Sequence, residues 1–339
     1  MDLPRPRPER RPSGPSSRGR GFTLLEMMLV MLLLGIVAGL GFAGLDRVDP
    51  GHRGLQVTLV QFLAQSRERA RTSGHPVRVD LAAETAERGA RLERRVFAAA
   101  MEATFEPGFR EREGVETHGD AALGGVGRFG AGLAVGPGGG AVVLGRGGGP
   151  RTRDGVAVEL EFLNPDGARG DLLAWEGLLE VSWVRSGMRV RVRSGGDQGM
   201  AWVEAPIGVQ DLRFGRWQHL EVVAADGRLS VALDGATVAE AEIGPWLGEP
   251  TAPLRLGGSD DSTHSFLADE LVVATRRVER GPELPELVRL DFPADGLVFD
   301  ADGLLDRVRH PEPVELRLHE GDDLLLAFRV GRFTEEALP

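Results

Sequence analysis

The first hydrophobic pattern along the chain is a long uncharged run near the N-terminus. Residues 21–45 contain a single charged side chain, Glu26, and are otherwise almost entirely apolar. About 20 apolar residues are needed for a helix that crosses a bilayer, so the run predicts a transmembrane helix over 22–45. A carboxylate in lipid costs roughly 2.5–3.5 kcal/mol even on the insertion scale, which makes Glu26 a candidate functional residue.

The second pattern is an apolar stripe at helical spacing over residues 55–72. Its apolar positions follow each other at i, i+4, i+7 and i+8, and Gly74 and Pro76 end the helix that they predict. Together with 22–45 this segment would form one long N-terminal helix. The sequence Asp49-Pro50-Gly51 between the two parts predicts a kink or a melted turn.

The third pattern is alternation of apolar and polar residues, which predicts β-strands. Dipeptides Asp226-Gly227 and Asp234-Gly235 predict turns between three strands in 214–243, and Gly321-Asp322-Asp323 predicts a hairpin turn. Many short, evenly spaced strands without a helical pattern between them predict a β-sandwich or jelly roll. The other predicted strands are 77–81, 91–98, 156–163, 178–183, 188–194, 266–274, 314–320 and 324–333, and a Gly-rich segment, 121–149, precedes the central group.

Composition restricts the chemistry and the partners. The 339-residue chain has a net charge of −11, and the first 20 residues carry six Arg against two acids, a net +4. Without that leader the charge is −11 − 4 = −15, which argues against nucleic acid as a partner. The basic leader keeps the N-terminus cytoplasmic by the positive-inside rule. Because Cys is absent, disulfides and thiolate metal sites are excluded.

The junction between the leader and the apolar run has a distinctive order: Gly21, then Phe22-Thr-Leu-Leu-Glu26, then the apolar helix. This arrangement resembles the type IV prepilin family, which includes the pseudopilins of type II secretion. The resemblance implies that prepilin peptidase removes the leader, residues 1–21, and that the new Phe22 amine is methylated. It also implies that Glu26 neutralises the N-terminal amine of a neighbouring subunit, since two costly charges become tolerable in lipid as a pair.

The same resemblance implies a location and partners. We expect a single-pass protein of the bacterial inner membrane, with its C-terminal domains in the periplasm before it enters a pilus or pseudopilus. The partners implied are prepilin peptidase, other pilin or pseudopilin subunits and the inner-membrane assembly platform.

Two further segments resemble H-type minor pseudopilins and FimT-like minor pilins. One is the Arg-rich helix end, turn and Pro-Val strand of 69–79, and the other is the Phe299-x-x-x-Gly303 turn before the last hairpin. The resemblance implies an α+β pilin-like frame, a long N-terminal helix with a small antiparallel sheet. We expect its two parts, 46–105 and 286–339, to be separated by an insertion.

The insertion, residues 121–278, resembles a laminin-G-like (concanavalin A-like) jelly-roll sandwich. The matching segments are Gly127–Leu133, Trp217–Leu220, Leu254–Gly258 and Phe266–Leu271. The resemblance implies a domain that binds glycan or protein.

Two carboxylates in the sandwich could form the paired acid groups that glycan hydrolases use. Glu159 and Glu161 have the even spacing that places both on one face of a strand. We interpret them as the solvated face of a half-buried strand, because the fuller Glu-x-Asp-x-x-Glu pattern of such hydrolases is absent. His219 is interpreted as a structural histidine. The sequence therefore predicts a protein without enzymatic activity and without a cofactor.

Acidic loop residues form two weak candidate sites for calcium, which binds oxygen ligands. One contains Asp260 and Asp261 in a loop of the sandwich, and the other contains Asp300 and Asp302 near the last hairpin. Neither follows the EF-hand pattern, and we interpret both as turn acids on an acidic protein.

These patterns lead to one main hypothesis and to alternatives. We expect a non-enzymatic minor pseudopilin or pilin subunit with a glycan- or protein-binding sandwich, at a tip or low-copy position. The alternative is a surface adhesin or carbohydrate-binding module that uses the prepilin route for export, and a glycan hydrolase is a third. DNA uptake would need a local basic patch, for which the candidates are Arg69, Arg71, Arg78, Arg94 and Arg95.

Overall fold

The structure is a computed structural model that describes residues 51–83, 90–106, 115–145, 151–165, 167, 169–196, 199–258 and 265–338. The predicted transmembrane helix, with Gly21, Phe22 and Glu26, lies outside these residues, as do Asp260 and Asp261. In the described part of the chain, no helix has the length and apolar character required to cross a membrane. The described residues from Gln56 onward belong to one compact unit, Gln56–Pro339.

The described residues form one α-helix, α1 (Gly51–Ser73), a short 3-10 turn (Val209–Asp211) and twenty strands. This helix confirms the prediction made from the apolar stripe at 55–72. The strands are β1 Val77–Ala82, β2 Arg91–Ala103, β3 Glu116–Val126, β4 Ala131–Leu144, β5 Gly155–Leu163, β6 Gly170–Trp175, β7 Leu179–Val184, β8 Gly187–Gly196, β9 Gly199–Gly208, β10 Gln218–Ala225, β11 Arg228–Leu233, β12 Ala236–Glu242, β13 Trp246–Leu247, β14 Leu254–Gly257, β15 Phe266–Glu283, β16 Val288–Asp291, β17 Leu297–Phe299, β18 Val314–Glu320, β19 Asp323–Val330 and β20 Glu335–Leu338.

Most strands belong to one large antiparallel sheet with a β-sandwich, jelly-roll-like architecture. Its main path runs β12-β11-β10-β5-β15-β4-β14-β6-β7-β8-β13, with β3 beside β4 and β9 beside β8. The inward side chains of β5, β10 and β11 join those of β6 to β9 in one core, so the sheet encloses its own apolar face. Trp183 belongs to this core, with ring centroids 5.8 Å from Phe162 and 5.6 Å from Phe266. A separate sheet has the order β16-β18-β19-β20. The last hairpin, expected to complete the sheet of β1 and β2, therefore lies outside it, and of the described C-terminal strands only β17 pairs with β1.

The predicted turns of the 214–243 segment are confirmed. Asp226 and Gly227 join β10 to β11 with φ of 51° and 76°, and Asp234 and Gly235 join β11 to β12 with φ of 50° and 79°. Two successive residues with positive φ form the hairpin turn that matches the twist of the flanking strands, which explains the Asp-Gly choice at both places.

Helix α1 packs through its apolar stripe on the strands that follow it. Phe62 lies so close to Gly281 of β15 that a Cβ there would be 2.6 Å from the ring, and Arg94 of β2 lies over the same ring at 5.3 Å. Arg67 is almost fully buried, and its guanidinium donates hydrogen bonds to carbonyls of Gly303, Gly331 and Arg332. The helix is therefore bound both to the sheet and to the C-terminal segment.

Strand β15 belongs both to the sandwich and to the sheet under the helix. Residues 267–275 pair with β5, while 271–283 pair with β2, so the expected domain boundary at 278 falls inside a continuous strand. In turn β1 pairs with β2 and with β17, where Val77 opposes Phe299. The chain segments before and after the sandwich therefore meet edge to edge.

Candidate functional site

A row of ionisable side chains crosses the outer face of β5 and β10, the face opposite to the core. Glu159 and Glu161 point outward because Val158, Leu160 and Phe162 take the inward positions. Glu221 and His219 are their direct cross-strand partners in β10. The prediction that the two glutamates share a face is confirmed.

The contacts in this row show that Glu161 is not a solvated side chain. It is only 7% exposed, because Arg128 of the β3–β4 turn bonds to Oε2 and His219 Nδ1 lies 3.2 Å from Oε1. The interpretation of both glutamates as a solvent face is therefore wrong for Glu161. Glu159 is about one-third exposed, with Oε1 3.3 Å from His75 Nε2 and Oε2 3.9 Å from His219 Nε2. His219 thus lies between the two carboxylates.

A groove of about 360 Å³ continues from this row along the outer face of β10 to β12. Its lining includes the small side chains of Ser230 and Ala232 and the charged side chains of Arg228 and Glu240, and residues of the C-terminal segment 298–309 also line it. Glu221 lies at the end nearest the histidines. Burial raises the pKa of Glu221, and the neighbouring Glu159 carboxylate raises it further, while His75 and His219 act in the opposite direction.

The calcium candidates Asp300 and Asp302 lie on the wall of this groove. Asp300 Oδ1 accepts hydrogen bonds from the backbone N–H groups of Asp302 (3.1 Å) and Leu304 (2.8 Å), so this carboxylate closes its own turn. Burial raises the pKa of Asp300, and the two backbone hydrogen bonds act against that increase. Among the residues that the structure describes, no group of three His, Asp or Glu side chains has a metal-binding arrangement.

The five arginines considered for a basic patch are all paired with carboxylates. Arg69 and Arg94 pair with Glu279, and Arg71 pairs with Glu68 of its own helix. Arg78 and Arg95 share Asp80, and they also reach Asp226 and Asp154 of the sandwich. The charge of this surface is therefore largely neutralised.

A second surface was not anticipated from the sequence. Two indole rings, Trp202 of β9 and Trp246 of β13, are 37% and 40% exposed, with Met200 equally exposed beside them. Arg153 and Arg193 flank them, and we call these five residues the Trp–Arg face. The available signal was the Arg-x-Arg-x-Arg alternation at 189–193, which places three guanidinium groups on one side of β8. The tryptophans join them only through strand pairing.

Comparison with known proteins supports the N-terminal assignment. Residues 16–42 match the family model described as the prokaryotic N-terminal methylation motif, which confirms the prediction of a prepilin-type N-terminal segment. No curated protein matches the chain.

Solved structures with a similar arrangement of strands include two toxin binding domains and one domain of an arabinanase. The binding domain of Paraclostridial Mosquitocidal Protein 1 has 8% identity and a TM-score of 0.40, with 56% of this chain and 50% of that one covered. For the botulinum neurotoxin serotype D binding domain the identity is 6%, the TM-score 0.40 and the coverage 56% and 49%. Domain 4 of AbnA, a GH43 extracellular arabinanase from Geobacillus stearothermophilus in complex with arabinotriose, has 16% identity, a TM-score of 0.39 and coverage of 56% and 95%. The aligned region spans about half the length of the first two chains.

Proposed function

We propose that this protein is a minor pilin or pseudopilin subunit of a type II secretion or type IV pilus-like system, with the sandwich as a binding module. The observation that carries the proposal is the methylation motif at 16–42, which contains Gly21, Phe22 and Glu26 in the order of a prepilin junction. Prepilin peptidase cleaves after Gly21, the Phe22 amine is methylated, and Glu26 pairs with that amine on a neighbouring subunit. Subunits then leave the inner membrane through the assembly platform.

The H-type pilin-like frame is part of this proposal. Its support is the contact between segments on either side of the sandwich: β1 pairs with β17, and Arg67 of α1 donates to Gly303 and Arg332. In this interpretation 46–105 and 286–339 form the frame, and 121–278 is an insertion that continues its sheet. A sandwich of this size on every subunit would crowd a filament surface, which favours a tip or low-copy position.

The proposed role is binding rather than catalysis, and it requires no cofactor. Glu161 is occupied by Arg128 and His219, so this carboxylate is held in a structural network rather than presented to a substrate. The exposed indole rings of Trp202 and Trp246 support a binding module, because large exposed aromatic side chains are typical of recognition surfaces. The ligand class proposed is a glycan or a protein.

Replacing Glu26 by Ala in cells that make the protein tests the assembly role. We expect membrane insertion and leader cleavage to be retained while incorporation into filaments is lost, since the Phe22 amine then has no carboxylate partner. Glu68→Ala is a matched control, because Glu68 is an exposed glutamate of α1 that pairs with Arg71. Sheared filaments are assayed by immunoblot for the subunit. Normal incorporation of the Glu26→Ala protein would show that the role given to Glu26 is wrong.

The second candidate function is a surface adhesin that uses the prepilin route only for export, and the Trp–Arg face favours it. Photo-crosslinking of the full chain in cells separates the two functions. Crosslinks from the 22–45 helix to other pilin-type subunits support a filament component. Surface display with no such crosslinks supports the adhesin.

A further inference from the structure

The Trp–Arg face (Arg153, Arg193, Met200, Trp202 and Trp246) is a continuous surface on the outer side of β8, β9 and β13. Trp202 is the cross-strand partner of Arg193, and Gly195 pairs with both Met200 and Trp246. Gly195 has no side chain, and the Met200 sulfur lies 2.6 Å from where its Cβ would be. Met200 therefore covers Gly195 and joins the two indoles into one apolar strip with a cation on either side.

The strip is held in place by contacts with neighbouring residues. The Arg191 guanidinium lies over the Trp202 ring at 4.8 Å, and the Arg153 guanidinium lies over Trp246 at 5.0 Å. Backbone bonds from Leu247 to the Arg153 carbonyl (3.0 Å) and from Gly248 to the Arg193 carbonyl (2.7 Å) fix the short strand β13. A ligand would meet rings whose orientation is already set, which lowers the entropic cost of binding.

Two side chains give this face its unpaired positive charge. Arg189 and Arg191 are paired with Glu204 and Glu180, whereas neither Arg153 nor Arg193 forms an ion pair with any residue that the structure describes. Both are exposed, in a chain whose net charge is −11. Guanidinium groups bind carboxylates through paired N–H donors, so these two side chains favour a ligand with negative groups.

We propose that the Trp–Arg face binds a carboxylated polysaccharide, an inference that rests on the proposed function of the sandwich as a binding module. The apolar faces of sugar rings stack on Trp202 and Trp246, and sugar carboxylates accept hydrogen bonds from Arg153 and Arg193. With strands about 4.8 Å apart and a rise of about 3.4 Å per residue, the two tryptophan backbones are roughly 12 Å apart. This span exceeds one pyranose ring, so the ligand is an oligomer rather than a monosaccharide.

Single-stranded nucleic acid also combines negative charge with flat rings, but the surface fits it less well. Proteins that bind it follow its backbone with a groove of many positive charges. Here only two of the four neighbouring arginines lack a carboxylate partner among the described residues, too few to follow a phosphate backbone.

The test is equilibrium binding of polygalacturonate to the full chain in a neutral detergent, followed by intrinsic fluorescence. The signal should come mainly from the two most exposed indoles, Trp202 and Trp246, since Trp175 and Trp183 are buried and Trp217 is only partly exposed. We expect saturable binding that weakens with salt. The Arg153→Gln/Arg193→Gln variant should bind at least tenfold more weakly, and Trp202→Ala/Trp246→Ala, measured by calorimetry, should not bind detectably.

Matched controls come from another part of the surface. Phe333→Ala removes an exposed ring that lies under Arg332, and Arg289→Gln removes an exposed cation, so both should bind polygalacturonate like the original protein. Circular dichroism checks that each variant is folded. Absence of polygalacturonate binding, equal binding of neutral dextran, tighter binding of a single-stranded oligonucleotide, or unchanged affinity in the face variants would each overturn the proposal. Since binding is measured on purified protein, these outcomes are independent of the filament assay with Glu26→Ala.

Discussion

Asp226→Asn should destabilise this protein more than most single substitutions outside its apolar core. Asp226 begins the β10–β11 turn, and its carboxylate receives both terminal nitrogens of Arg276 from β15, with Nη1 2.6 Å from Oδ1. Arg78 of β1 adds a third donor at 3.3 Å. The side chains of Arg276 and Asp226 are only 2% and 7% exposed, so this ion pair is almost fully removed from water.

The loss of stability is large because the Arg276 guanidinium stays buried without its carboxylate partner. Removing one partner of a buried pair leaves the other charge uncompensated and typically costs 3–5 kcal/mol. Asparagine tolerates positive φ well, so the turn at φ 51° is kept and the loss is electrostatic. We therefore expect the free energy of unfolding to fall by about 3 kcal/mol or more.

The same pair predicts a pH dependence. Burial alone would raise the pKa of Asp226, but the charge and hydrogen bonds of Arg276, together with the charges of Arg78 and Arg309, outweigh it and lower the pKa. A carboxyl group with a lowered folded-state pKa stabilises the fold at neutral pH, and this contribution is lost as the pH falls through that lowered value. The original protein should lose this stability in acid, whereas Asp226→Asn should lack that component of the pH dependence.

Urea unfolding of the full chain in detergent, followed by tryptophan fluorescence, measures both effects. Asp234→Asn is the matched control, because Asp234 has the same place in the next Asp-Gly turn, with φ 50°, and its partner Arg213 is exposed and 3.6 Å away. A surface pair of this kind contributes about 1 kcal/mol or less. Equal losses of stability in the two variants would refute the argument that burial of the pair determines its contribution.

Two further substitutions probe the groove and the helix contact. Glu221→Gln should stabilise the protein by less than about 1 kcal/mol at pH 7, because burial raises the pKa of Glu221 and ionisation there is unfavourable. The gain should vanish as the pH falls below the ordinary glutamate pKa, where the carboxyl is protonated in both states, and urea midpoints that show the opposite trend would contradict it. Gly281→Ala should destabilise by about 1–3 kcal/mol, since its Cβ would lie 2.6 Å from the Phe62 ring and 2.8 Å from the Leu92 carbonyl. Gly196→Ala, whose nearest contact is 3.4 Å, should unfold close to the original temperature in a thermal melt, and equal shifts for both glycines would contradict the steric argument.

Local patterns predicted those elements whose cause is local. Alternation of apolar and polar residues identified β5 and β8, and the Asp-Gly pairs identified two hairpin turns. Both signals depend only on residues that are adjacent in the sequence. The Gly-rich segment gave no such signal, yet β3 and β4 form there as a long hairpin. Glycine weakens strand propensity, so β4 depends on its partners β14 and β15, which lie more than a hundred residues away, and β3 depends on β4.

The same distinction applies to the ionisable row and the Trp–Arg face. Period two correctly placed Glu159 and Glu161 on one face, but the burial of Glu161 depends on Arg128, which arrives from another hairpin. Trp202 and Trp246 become neighbours only because β9 and β13 pair with opposite sides of β8. Tertiary contacts of this kind cannot be predicted from a short segment of the sequence.

The path of β15 decides how the binding surface is connected to the N-terminal helix. One continuous strand pairs with β5 of the sandwich and with β2 beneath α1, and the outer face of the sandwich packs on Phe97 of β2 through Ala157 and Ala274. The Asp226–Arg276 pair, with Arg78 from β1, reinforces the same junction. Backbone pairing, apolar packing and a buried ion pair all connect the sandwich to β1 and β2. The sandwich therefore continues the sheet under the helix and is not joined to it by a flexible linker. A ligand held on the sandwich is thus held at a fixed position relative to the helix segment 56–73, the arrangement expected if the protein presents a binding surface from an assembled filament.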